Sequence, residues 1–162
     1  DAAAKNRLLQ YAAGHRSEAQ ELCWLAEPWD KTYLGFADQA LTGRLQPFMM
    51  ARCLDARAAL AKLPVAASMS SGSVVVLLTD KMLERNNHLL QLRTSPGKLE
   101  AVSTLEQEEV TMDMGAFTQL YFGAFSATEL WEAGRIKCSD MQKLQLLDEL
   151  FTKCRTYNNE YF

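Results

Sequence analysis

The chain has 162 residues, 48% of them apolar and 23% charged, with a formal net charge of −3. That length suits one well-packed core and leaves a second complete domain cramped. The acidic balance, with no Lys/Arg cluster interleaved with aromatics, excludes the electrostatic footprint of a nucleic-acid binder, and the longest apolar run, Val74 to Leu78, is far short of a bilayer span.

No charged-then-apolar leader opens the sequence, so a soluble, cytoplasmic protein is predicted. The first residue is Asp1, and a helical pattern begins almost at once. Both features suggest a piece of a longer protein. Residues 2 to 13 read as a helix with Leu8, Leu9, Ala12 and Ala13 on one stripe and Gly14 placed to take the left-handed conformation at its end. His15 follows that terminus, where a capping or surface role outweighs a catalytic one. Glu18 to Ala26 reads as a strand, and Trp29 to Leu41 as a short helix offering Tyr33, Leu34 and Phe36 for packing.

Composition shifts at Thr42, Gly43 and Arg44 ahead of Pro47, which places a boundary between residues 1–46 and a main domain of residues 47–162. Phe48 to Leu54 reads as a strand leading into a helix that Asp55 caps, that presents Ala58, Ala59, Leu60 and Leu63, and that Pro64 stops. Ser68 to Ser73 is a loop. Val74 to Leu78 is apolar on both faces, as a central strand must be. His88 to Thr94 and Lys98 to Thr104 alternate on either side of a Ser95-Pro96-Gly97 turn, the pattern of an antiparallel hairpin. Glu106 to Glu109 is a solvated acidic run. Val110 to Met114 is a strand with Val110, Met112 and Met114 on one face, which suits either a core or a pocket for an apolar ligand.

The last third is helical. Gly115 to Phe122 closes at Gly123, Ser126 with Glu129 forms a capping box whose helix closes at Gly134, and Ser139 with Gln142 forms a second box. In the final helix Met141, Leu144, Leu147, Phe151 and Cys154 fall on one side, so that it delivers the tail to a fixed place.

Motifs with their own chemistry are scarce. No glycine-rich phosphate loop and no G-x-S-x-G elbow occur. His15 and His88 are the only histidines, too few and too far apart for a zinc cluster, so no metal is expected. Cys23, Cys53, Cys138 and Cys154 lack metal or redox spacing and read as buried free thiols. Asp80, Asp113 and Glu129 are the carboxylates that could meet across a cleft as acid and base, against the simpler reading of solvated or capping groups. Residue chemistry therefore ends at a mixed helix-and-sheet domain with a candidate apolar cavity.

The order of segments adds to this. Pro47 through Leu60, Val74 to Asp80, Met114 to Gly123, Leu130 to Ile136, Leu147 to Phe151 and the terminal Glu160, Tyr161 and Phe162 together resemble the sterol carrier-like domain of Eis-type (enhanced intracellular survival) GNAT N-acetyltransferases. Residues 1–46 are similar to the end of that family's central GNAT-like domain. The resemblance implies an α+β fold, a curved mixed or antiparallel sheet covered by helices and preceded by a partial GNAT-like segment. It implies a C-terminal enzyme part that shapes an amine-substrate pocket, with the main-chain carboxylate of Phe162 as general base and Glu160 drawing in ammonium groups. Acetyl-CoA is then the cofactor of the full-length enzyme and none is held by this chain, whose partners are the missing N-terminal acetyltransferase domain and the amine. An exposed edge at Glu18 to Ala26 would favour a homo-oligomer. The alternative is a free-standing lipid or acyl-chain carrier with a cavity lined by Val75, Leu77, Met112 and Phe117; a third reading makes the tail a hydrophobic plug.

Overall fold

The computed structural model describes residues 2–27, 30–35, 42–44, 50–152 and 154. It divides into two units, Asp1–Pro47 and Phe48–Phe162.

In the first unit, helix α1 (Ala2–Gly14) keeps Leu9 and Ala12 half-buried while Leu8 and Tyr11 are about 70% exposed. The left-handed ending expected at Gly14 is not there, since the positive-φ glycines are Gly97, Gly123 and Gly134. The chain instead runs on in tight turns, with His15 N–H donating to Ala12 O and both Glu18 and Ala19 N–H to His15 O. No strand forms over Glu18 to Ala26: Leu22, Trp24 and Leu25 stay 43–66% exposed, with no sheet among the described residues of this unit to pair with. The exposed strand edge that would have favoured self-association is therefore missing. Of the helix expected over Trp29 to Leu41, the described part is one 3₁₀ turn, Thr32–Gly35. Asp30 organises it, accepting from the backbone N–H and hydroxyl of Thr32, from Lys5 Nζ at 2.7 Å and from Trp24 Nε1 at 3.4 Å.

In the second unit the described part of Phe48 to Leu54 is a strap of irregular backbone, not a strand. Its polar groups find side chains in place of a sheet: Cys53 N–H donates to Thr118 Oγ1 at 3.1 Å, and Leu54 O accepts from Asn86 Nδ2 at 3.2 Å. Asp55 caps α2 (Ala56–Ala61) by accepting from Ala58 N–H, as its sequence position predicts.

Five strands follow: β1 (Gly72–Thr79), β2 (His88–Ser95), β3 (Lys98–Ser103), β4 (Val110–Asp113) and β5 (Ile136–Cys138). They form one sheet in the order β3-β2-β1-β4-β5, with β1 at the centre. β1 runs parallel to β4 and antiparallel to β2, and the outer pairs are antiparallel, so the sheet is mixed and open. A strand buried on both sides belongs in the middle, and Val74, Val75, Val76 and Leu78 are all at most 3% exposed.

Helices α3 (Met114–Tyr121), α4 (Ala127–Glu132) and α5 (Met141–Leu150) complete the unit. Val74, Val76 and Leu78 of β1, Leu90 and Leu92 of β2 and Met112 of β4 share one core with Leu60, Phe117, Leu120, Leu144 and Leu147 from the helices. The α+β architecture, a mixed sheet flanked by helices, is thus the expected one. Strand β4 ends one residue early because Asp113 accepts from Ala116 N–H at 2.7 Å and starts α3, which takes Met114 into the helix. The Ser126–Glu129 capping box is present, whereas the box expected at Ser139 is not: Asp140 caps α5 by accepting from Gln142 N–H at 2.9 Å. Along α5, Leu144, Leu147, Leu150 and Phe151 are buried, but Met141 is 46% exposed and Cys154 is exposed. The cysteines are free thiols and only Cys53 is buried, where burial pushes its pKa up.

Candidate functional site

Glu160 and Phe162, the residues expected to carry chemistry, lie outside the described residues. What is described is the chain up to Thr152 and at Cys154. Phe151 closes α5, is 3% exposed, and meets Phe117 of α3 edge-on with ring centroids 6.1 Å apart. Three residues later, Cys154 N–H donates to Gly123 O at 3.0 Å. Gly123 is the left-handed residue that ends α3, with φ at 66°, so the backbone at Thr152 and Cys154 lies directly on the end of a buried helix.

The four residues expected to line one cavity do not meet. Alternation along β1 sends Val74, Val76 and Leu78 to the helix-covered core and Val75 and Leu77 to the opposite face of the sheet. Met112 and Phe117 border a core void of about 10 Å³ with Val76, Leu78 and Leu147, and that volume is about one water. Val75 borders instead an open cleft of about 430 Å³, shared with Ser73, Glu106 to Glu109 and Lys143. This cleft owes its shape to hydrogen bonds: Val75 N–H donates to Glu109 Oε2 at 2.8 Å, and Lys143 Nζ, 3.0 Å from Glu109 Oε1, donates to Ser73 O at 2.7 Å. Glu106 accepts from Gln91 Nε2, so two of the three glutamates already hold the loop in place.

Asp80, Asp113 and Glu129 each serve local structure. Asp80 is 6% exposed and accepts from Asn86 Nδ2 at 2.9 Å, from Met82 and Leu83 N–H, and from Arg52 Nη2 at 2.5 Å. The Asn86 amide, then those backbone groups and the Arg52 guanidinium, outweigh burial and lower its pKa to about 2. A carboxylate so saturated is a poor base. Asp113 caps α3 and pairs with Arg135 Nη2 at 3.2 Å; Glu129 closes its capping box. His15 lies on the surface, 3.4 Å from Glu18 Oε2 and edge-on to Tyr11, while His88, half-buried, has its pKa lowered by burial and by Arg57.

The described helix starts of the second unit are poor phosphate cradles. The first turns of α2, α3, α4 and α5 are capped by Asp55, Asp113, Ser126 and Asp140, three of them carboxylates that would repel a phosphate. Among the described residues no cluster of three His, Cys, Asp or Glu could hold a metal, and no helix is long and apolar enough to cross a membrane. The contribution that sequence reading missed is that of Gly123, whose helix-ending role is legible but whose contact with Thr152 and Cys154 requires the end of α5 to reach α3.

Comparison with known proteins gives the setting for this geometry. A family model described as the sterol carrier protein domain matches residues 56–159. A GCN5-related N-acetyltransferase from Kribbella flavida aligns with a TM-score of 0.60 at 24% identity, over 68% of this chain and 29% of its own. Another from Anabaena variabilis aligns with a TM-score of 0.53 at 19% identity, over 58% of this chain and 24% of its own. Eis1 from Mycobacterium abscessus aligns at 25% identity over 60% of this chain and 23% of its own, with a TM-score of only 0.48. The chain therefore spans less than a third of each of these structures. No curated protein sequence matches significantly.

Proposed function

Because the chain belongs to the sterol carrier protein domain family, we propose that it is the C-terminal, sterol carrier-like part of an Eis-like GNAT N-acetyltransferase, which shapes the amine pocket and supplies a carboxylate to it. The observation that carries this reading is that a sterol carrier-like chain with a filled core aligns onto under a third of larger proteins named as N-acetyltransferases. Residues 1–46 belong in this reading to the end of a GNAT-like central domain.

In this reading acetyl-CoA is the cofactor of the whole enzyme and is held by its N-terminal acetyltransferase domain; the carboxylate-capped helix starts described above are consistent with that division. What this chain contributes is a proton acceptor. Transfer to an amine needs the ammonium form deprotonated, and in this reading the main-chain carboxylate of Phe162 takes that proton. Its ordinary pKa, about 3.3–3.7, is low for this task at neutral pH; a desolvated pocket raises it. Glu160 draws the cationic substrate towards it.

The test uses the full-length product of the gene that encodes this chain, assayed for acetyl-CoA turnover on a panel of primary amines. Adding two residues after Phe162, or deleting Glu160 to Phe162, should cut kcat at least tenfold. Turnover unaffected by both changes removes the terminal-base reading. The alternative, a lipid or acyl-chain carrier, rests on the same family match but needs a cavity far larger than about 10 Å³. Native mass spectrometry with added fatty acid and sterol should show no adduct; a stoichiometric one would favour the carrier.

A further inference from the structure

We infer that Gly123 is a positioning residue: it forms the socket that seats the backbone at Thr152 and Cys154, and so sets where the segment bearing Glu160 and Phe162 begins. The inference rests on the terminal-carboxylate reading for its functional meaning, though the socket itself is a matter of described geometry.

Two glycines end helices in the left-handed conformation, Gly123 at φ 66° after α3 and Gly134 at φ 70° after α4. Their backbones are nearly the same and their surroundings are not. A Cβ built on Gly134 meets nothing within 4 Å. One built on Gly123 would sit 2.5 Å from Cys154 N, 2.9 Å from Thr152 O and 3.0 Å from Cys154 Cβ. The first two are backbone atoms, which cannot rotate aside as a side chain would. The helix ending alone calls for glycine at both positions. Only at Gly123 does a second chain segment occupy the space that a side chain would fill.

That segment is held in two further ways. Cys154 N–H donates to Gly123 O at 3.0 Å, and Phe151, one residue before Thr152, is buried against Phe117. Phe162 is the eighth residue after Cys154, a reach of at most about 29 Å when fully extended. Displacing Thr152 and Cys154 therefore displaces the start of the segment that carries Phe162. Catalytic groups tolerate little of this, since a misplacement of about 1 Å can cost about a hundredfold in rate.

The matched glycines supply the experiment, because Gly134→Ala carries the backbone strain of Gly123→Ala without the clash. In this chain, hydrogen exchange of the Cys154 amide should quicken at least tenfold in Gly123→Ala and stay at the wild-type rate in Gly134→Ala, with the amides of Phe117 and Leu120 protected in both. In the full-length enzyme, Gly123→Ala should lower kcat at least tenfold with KM for acetyl-CoA unchanged, Gly134→Ala should match wild type, and Gly123→Ala should add nothing once two residues extend Phe162. Equal exchange in the two variants, or a Cys154 amide as fast in wild type as in Gly123→Ala, overturns the socket. An extension without effect on turnover refutes the terminal base alone, and the exchange comparison still judges Gly123. Should Gly123→Ala fail to fold, Cys154→Pro deletes the donated N–H and leaves α3 intact; carboxypeptidase should then release Phe162 at least tenfold faster than from wild type, and an unchanged rate overturns the assignment.

Discussion

Replacing Phe151 with alanine tests whether the interior is a packed core or a collapsed ligand cavity. Phe151 is 3% exposed, meets Phe117 edge-on, and borders the core void together with Leu60, Leu120 and Leu147. The void of about 10 Å³ costs only about 0.2 kcal/mol at the measured rate of about 24 cal/mol per Å³ of cavity. The core thus begins close to full. Truncating a phenylalanine in such a core costs about 3–5 kcal/mol, and the lost aromatic contact with Phe117 places this site at about 4. With a urea m-value of about 2 kcal/mol/M, the unfolding midpoint should fall by about 2 M at unchanged m. Circular dichroism and tryptophan fluorescence should report the same transition. A fall of less than about 0.5 M would refute the reasoning, because only an interior with slack, as in a domain that opens for a ligand, absorbs that deletion so cheaply. Recovery of the midpoint on adding fatty acid would refute it equally.

Two other predictions concern the knot at the end of β1. Asn86 is 1% exposed, accepts from Ala56 N–H at 3.3 Å, and donates to Leu54 O and Asp80 Oδ2; Asn86→Ala removes the acceptor of Ala56 N–H and one donor each from Leu54 O and Asp80 and should cost about 2–4 kcal/mol in urea unfolding, whereas a loss under about 1 kcal/mol would mean that water replaces the amide. Asp80 has a folded pKa lowered from 3.8 to about 2, so the stability it contributes is fully present above about pH 4 and is lost as the pH falls through about 2. Urea midpoints measured from pH 5 to pH 2 should decline in wild type and lose that part of the slope in Asp80→Asn, and identical slopes would show that Asp80 does not report the acid transition.

Signals that act over three or four residues were legible in the chain itself. Asp55, the Ser126–Glu129 pair, Gly123 and Gly134 mark helix ends because their side chains, or the lack of one, solve a backbone problem a turn away. The Ser139 box failed by one residue for the same local reason: Asp140 is a competing cap of at least equal strength, and neighbours compete for one first turn. The run Val74 to Leu78 declared a central strand, and the Pro96-Gly97 turn declared the hairpin of β2 and β3.

Tertiary structure decided what depends on partners far along the chain. β5 is only three residues, Ile136–Cys138, too short for a pattern, and exists because β4 offers it an edge. Glu18 to Ala26 carries strand-like residues but has no strand to pair with among the described residues of its unit, and the strap before Asp55 satisfies its backbone on Thr118 and Asn86 instead of a sheet. Val75 and Met112 read alike as apolar strand residues, yet register and the placement of the helices send them to opposite faces of the sheet. Gly123 joins the two kinds of information: its conformation follows from the helix it ends, while its contact with Thr152 and Cys154 follows only from α5 packing back onto α3. Short-range hydrogen bonding is written in adjacent residues, whereas burial and close approach are properties of surfaces that exist only once distant segments have met.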